Sequence, residues 1–137
     1  GWYSAGTEII FACGGSMFAS IAAAAAENDG FVVGVDVDQS SESQTVVTSA
    51  MKGLSEAAMW AIEKSYAGTF ADIGGTATSL GVNDNAVGLP TATWSMKNFT
   101  VADYEKLLSD VKSGTLTVDA DYSNLAGTDN LTLNIVE

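Results

Sequence analysis

The amino-acid sequence predicts an α/β fold built on an open, mostly parallel sheet flanked by helices. Two apolar, β-rich runs, "TEIIFAC" and "GFVVGVD", are separated by "SMFASIAAAAAEND", whose alanines favour helix and allow close packing on a sheet. The second run is continuously apolar and does not alternate, the pattern of a strand covered on both faces. Strand, helix, strand in this order is the repeating unit of such sheets, whose ligands bind in the crevice beyond the carboxyl ends of the strands.

In chain order, "GWYSAG" reads as the last turn of a helix closing on Gly6. The first strand ends in "GG", and Ser16 opens the alanine-rich helix. From Thr45 the apolar residues Val47, Ala50, Met51, Leu54, Ala58, Ala61 and Ile62 recur at steps of three and four, which predicts one amphipathic helix over 45–66, ended at Gly68. The runs "TSLGV" and "AVGL" read as short strands interrupted by "NDN", and Pro90 leads into the loop "TATWSMKN". Thr100 caps a helix with Val101, Tyr104, Leu108 and Val111 on one face and Gly114 as its stop. "TLTV" and "LTLNIV" are the last strand-like runs.

With 137 residues, 47% of them hydrophobic, the chain is long enough to bury one core. No window reaches the roughly 18 to 20 uninterrupted apolar residues of a membrane span, so no direct membrane insertion by this segment is expected. "GWYSAGTEII" has neither the basic nor the apolar region of a targeting segment. Acidic residues number 17 against five lysines, a net charge of −12 that would repel a phosphate backbone, and nucleic acid is not expected as a partner. One cysteine and no histidine exclude zinc sites built from paired Cys and His, and a serine hydrolase would lack its histidine base and a G-x-S-x-G turn. No cofactor and no resident metal are called for.

The candidate site residues lie where the predicted strands end. Gly14 and Gly15 sit at a strand-to-helix turn, where backbone N–H groups can approach an oxygen-rich ligand, or where the glycines serve only a tight turn. In an extended segment Asp36 and Asp38 share a face; they suit two neighbouring sugar hydroxyls or a hard cation, or form a solvated strand end. Lys52, the only basic residue between Gly1 and Glu63, is offset from the apolar stripe of the predicted helix and can reach the rim as a donor, or stand as a surface lysine. Trp60 falls beside the stripe and reads as core, Trp94 is free for stacking, and Asn83, Asp84 and Asn85 read as loop punctuation.

The words "EIIFACGG", "VVGVDVDQS", "VVTSAMKGLSEAAMWAIE", "NDNAVGL" and "YEKLLSDVKSGTLTV", in this order, resemble the C-terminal half of the BMP family of bacterial lipoproteins, the PnrA/TmpC-like substrate-binding proteins of nucleoside ABC transporters. The resemblance runs through most of residues 6–118, and "GVDVDQ" followed by "VTSAMK" is its most specific part. It implies a type I periplasmic-binding-protein fold, of which residues 1–137 form about half, with 119–137 a tail of no assigned role. It implies a non-enzymatic protein that binds a nucleoside, purine in most members, and hands it to a membrane permease from an extracytoplasmic, lipid-anchored position. It assigns Asp36 to the ribose hydroxyls, Lys52 to a ribose oxygen, Gly14 and Gly15 to backbone approach, and Asp38 to support. The N-terminal lobe, the lipobox cysteine and the base-stacking aromatic residues of the family have no counterpart here. The rival reading is a receiver-like phosphoacceptor domain in which Asp36 and Asp38 hold Mg²⁺; the spacing from "GVDVDQ" to Lys52 favours binding over phosphotransfer.

Overall fold

The computed structural model describes residues 1–118 together with Thr132 and Asn134. After a single 3₁₀ turn at Tyr3–Ala5, which closes on Gly6 as its sequence predicts, the chain forms β1 (Ile9–Phe11), α1 (Met17–Glu27) and β2 (Phe31–Asp36). There follow β3 (Val46–Lys52), α2 (Leu54–Tyr66), β4 (Val87–Gly88) and α3 (Val101–Lys112). The four strands form one sheet in the order β1-β2-β3-β4; the first three run parallel and β4 is antiparallel to β3.

The core lies between α1 and one face of the sheet. Phe18, Ala22 and Ala25, spaced by one helical turn, pack with Ala12, Val32 and Val46, and the small alanines let the helix axis approach the strands. Tyr3 closes one end of this cluster and donates its hydroxyl to the Phe31 carbonyl at 2.6 Å, so the polar tip of a buried ring is satisfied. On the opposite face Ile9, Phe11 and Phe31 stand about half exposed; Ile9 and Phe31 are register partners across β1 and β2.

The helix predicted over 45–66 is two elements. Residues Val46–Lys52 are strand β3, and the helix begins only at Leu54. The reason is a bulge: Val32 pairs with Val46, yet the next residue, Val33, pairs with Thr48, so Val47 is an extra residue in β3. The buried positions of the strand, Val46 and Ser49, are therefore three apart and imitate a helical step. No residue of α2 is fully buried, and Leu54, Ala58 and Ile62, expected in the core, are exposed because no described element covers that side of the helix.

Other expectations are met or revised locally. Thr100 caps α3 as predicted, with a reciprocal pair of bonds in which the Asp103 N–H donates to Thr100 Oγ1 at 3.2 Å and the Thr100 N–H donates to Asp103 Oδ2 at 2.8 Å. "AVGL" contains β4, whereas "TSLGV" and "TLTV" form no strand; the first leads into a 3₁₀ turn at Val82–Asp84 and the second follows the turn that ends α3. Trp94 is not free: its indole N–H donates to the Phe99 carbonyl at 2.8 Å and its ring packs against Phe99 and Tyr104. The run "LTLNIV" and the tail 119–137 lie outside the described residues apart from Thr132 and Asn134.

The packing sets a contrast between the two sheet faces. Val32 is fully buried, so Val32→Ala should lower the unfolding free energy by about 2 kcal/mol. Phe11→Ala, on the half-exposed face, should cost less than its size suggests, under roughly 1.5 kcal/mol. Urea denaturation of the two variants checks both; a larger loss at Phe11 than at Val32 would mean that the exposed face is covered in solution.

Candidate functional site

Because β1, β2 and β3 are parallel neighbours, their carboxyl ends meet on one rim. Cys13, Gly14 and Gly15 follow β1, Asp36 ends β2, and Lys52 ends β3. Lys52 thus reaches the predicted rim from a strand end and not from a helix. Its ammonium lies 2.6 Å from Asp36 Oδ1. The contact is short without being an aligned hydrogen bond, and it leaves Oδ1 shielded from solvent with no aligned donor. The 45% exposure of the Asp36 side chain therefore belongs to its atoms other than Oδ1. The Asp36 contact, and then its negative charge, hold the Lys52 pKa above the ordinary lysine value, with a small additional effect from Cys13 nearby.

Asp36 has φ 69°, and the Val37 N–H donates to the Val35 carbonyl at 2.8 Å across it. A two-residue bond spanning a positive-φ residue is the strained form of the γ-turn. This turn ends the strand before Asp38, so Asp36 and Asp38 do not share a strand face as their spacing predicts. They have separate partners. Asp38 Oδ1 accepts from the Ser40 N–H at 3.0 Å and Oδ2 from the Thr93 hydroxyl at 2.7 Å. Both oxygens of Asp38 are engaged, and these two donors, Ser40 first, lower its pKa below the ordinary carboxylate value.

A cleft of about 300 Å³ opens beside the ion pair, with Asp36, Asp38, Lys52, Glu56 and Asn85 as polar walls and Met51 and Val87 among the apolar ones. Its size is at the lower end of small-molecule sites. The wall from β4 stands close because Gly53 has no side chain: a Cβ there would lie 2.6 Å from the Asn85 carbonyl oxygen and 2.8 Å from Ala86 Cα, and the Gly53 N–H donates to the Ala86 carbonyl at 2.8 Å. Gly14 and Gly15 are not among the lining residues of this cleft. Gly15 has φ 31° with open space around its Cα, and the carbonyls of both glycines accept from the first N–H groups of α1, from Met17 and Phe18.

Glu56 and Asn85 were not assigned to the site by sequence reasoning. Glu56 lies in the first turn of α2, a helix whose start the sequence pattern misplaces, and Asn85 reads as turn punctuation, which it also is, with φ 52°. Among the described residues no group of three His, Cys, Asp or Glu side chains is placed to hold a metal ion, and no helix is long and apolar enough to cross a membrane.

Comparison with protein-family models matches residues 2–120 to Bmp, the PnrA-like substrate-binding proteins of ABC transporters. The chain belongs to this family. Its mixed α/β architecture, among the described residues a mostly parallel four-stranded sheet with three helices, is that of a portion of a periplasmic-binding-protein fold from a Bmp member. The family role is substrate binding for an ABC permease. No curated protein matches the chain.

Two consequences can be measured. A carboxyl whose folded pKa is depressed stabilises the fold above its unfolded pKa, and that share is lost as pH falls through the folded value. Thr93→Val should therefore lower the melting temperature at neutral pH, with the gap to wild type narrowing as pH falls from about 4 through the lower folded value of Asp38; a gap constant down to the acid limit would mean that the Thr93 bond is not linked to this ionisation. Gly53→Ala should destabilise by about 1–3 kcal/mol in chemical denaturation, because the added methyl meets backbone atoms.

Proposed function

We propose that this chain is the C-terminal portion, about half, of a nucleoside-binding receptor of the Bmp family. In this reading Asp36 accepts from ribose hydroxyls, Lys52 donates to a ribose oxygen, Gly14 and Gly15 meet the ligand through their backbone at the other end of the rim, and Asp38 supports the loop. The observation that carries the reading is the Asp36–Lys52 pair on the carboxyl rim, where an exposed carboxylate acceptor and a charged donor stand side by side at the edge of a cleft. A vicinal diol needs that combination, because each hydroxyl both donates and accepts.

The proposed parent protein has two lobes that close on the ligand by a hinge motion, with this chain supplying contacts that are completed from the other lobe. The half-exposed apolar sheet face and the uncovered side of α2 fit a portion of a larger assembly. The proposed cargo is a nucleoside, purine by preference, delivered to a membrane permease from an extracytoplasmic, lipid-anchored position. The role is binding without chemistry.

Calorimetric titration of the full-length protein with guanosine, inosine, adenosine, cytidine and ribose tests the reading. One nucleoside should bind tightly, and Asp36→Ala and Lys52→Ala should each weaken it by about tenfold or more, the worth of a charge-assisted hydrogen bond. The 137-residue chain alone should bind the same nucleoside far more weakly. Heat from none of the ligands would reject the nucleoside assignment and turn the search to Mg²⁺ and small phosphodonors.

A further inference from the structure

Asp36 occupies a backbone conformation that is costly for any residue with a side chain, and the structure around it holds that conformation in place. The restraint comes from Gln39. Its side-chain Oε1 accepts from the Val35 N–H at 2.9 Å, and its own N–H donates to Ser49 Oγ at 3.1 Å. Ser49 is fully buried in β3, so this second bond anchors the turn to the sheet interior. Gly34 makes room for the arrangement: a Cβ there would lie 2.6 Å from Ser49 Oγ and 2.8 Å from Gln39 Oε1. Residues 35 to 39 thus form a closed loop with the γ-turn at Asp36 inside it.

We propose that Gln39 is the positioning residue of the rim: by capping the Val35 N–H and tying the loop to Ser49, it holds the Asp36 turn that aims the carboxylate at Lys52. Gln39 itself does not line the cleft. Its effect on ligand passes through Asp36, and only that ligand consequence rests on the nucleoside reading above. The Val35 N–H belongs to the residue whose carbonyl closes the γ-turn. Without the Gln39 acceptor, residues 35–37 are free to leave the positive-φ state, and the fraction of molecules with Asp36 in place falls.

The test separates position from stability. Gln39→Met removes the acceptor at nearly constant length, whereas Gln39→Glu keeps an oxygen for the Val35 N–H. NMR of the ligand-free 137-residue chain reads the Asp36 HN–Hα coupling and the Lys52 titration; thermal melts read stability; calorimetry on the full-length protein with guanosine and inosine reads binding. In Gln39→Met the Asp36 coupling should shift, the Lys52 titration midpoint should fall toward its ordinary value, and the affinity for the nucleoside that binds should drop roughly tenfold. Core resonances should stay in place, and Gln39→Glu combined with Glu42→Gln, which exchanges the donor and acceptor of the Gln39–Glu42 side-chain bond, should restore all three signals. Unchanged Asp36 and Lys52 signals in Gln39→Met, or altered signals with unchanged affinity, would overturn the proposal. Should Gln39→Met fail to fold, Ser49→Ala removes the loop's other anchor, the bond from the Gln39 backbone N–H, and is read against the same criteria. If no nucleoside binds the wild-type protein, the nucleoside reading falls while the two NMR signals still decide the role of Gln39.

Discussion

The Asp36–Lys52 ion pair depends on the parallel pairing of β2 with β3. In an antiparallel pair the carboxyl end of one strand meets the amino end of the next, and an acid and a lysine that each end a strand would lie on opposite edges of the sheet. Here the chain leaves Asp36, returns through residues 37–45 without a helix, and runs β3 alongside β2, so that Met51 is the register partner of Asp36 and Lys52 comes next. Everything else at the rim is arranged around that meeting. Gly53 follows at once and lets β4 stand as a wall, and Asp38 ties the loop to the segment after β4 through Thr93.

The energetic logic of the rim is local strain balanced by hydrogen bonds. A positive-φ aspartate costs free energy, about 1–3 kcal/mol for such a conformation, yet it turns the chain within two residues and leaves the carboxylate at the strand end. The bonds to Gln39, Ser49, Ser40 and Thr93 offset that cost. They also divide the labour between the two acids: Asp38 is consumed by the protein, and Asp36 keeps an exposed face beside a lysine whose charge its presence secures. Two carboxylates with identical chemistry, only two positions apart, thus differ in what they have left to offer a ligand.

The α/β class was legible because β1, α1 and β2 each obey one period, and the caps at Thr100 and Gly6 follow local rules that tertiary packing does not override. The helix over 45–66 was half illegible for a physical reason. Val47 bulges, the buried positions Val46 and Ser49 fall three apart, and the apolar pattern of β3 merges with that of α2. At the site, the strand-end acid and the lysine stand out in sequence as charges bordering apolar runs. Gln39 and Ser49 do not, since their importance lies in which backbone N–H they meet, and that is set by the turn at Asp36. Trp94 read as free because nothing in its neighbourhood announces that Phe99 and Tyr104 close over it.

The bulge at Val47 has a bearing on how such a rim can change over generations. Side chains along a strand alternate between faces, so one extra residue would reverse the parity of every position after it unless a bulge took it up. Val47 is taken up as the bulge, so Ser49 stays opposite Gly34 on the core face of Val32, and Lys52, one past the Asp36 partner Met51, points away from that face. Loss of that single codon would leave a regular strand in which Thr48 follows Val46, with Ser49 still opposite Gly34 and Met51 still opposite Asp36, so the serine would stay inward and the lysine on its own side. The placement of the charge next to Asp36 is thus inherited through the register with β2, and the bulge is where the strand can gain or lose a residue without moving it.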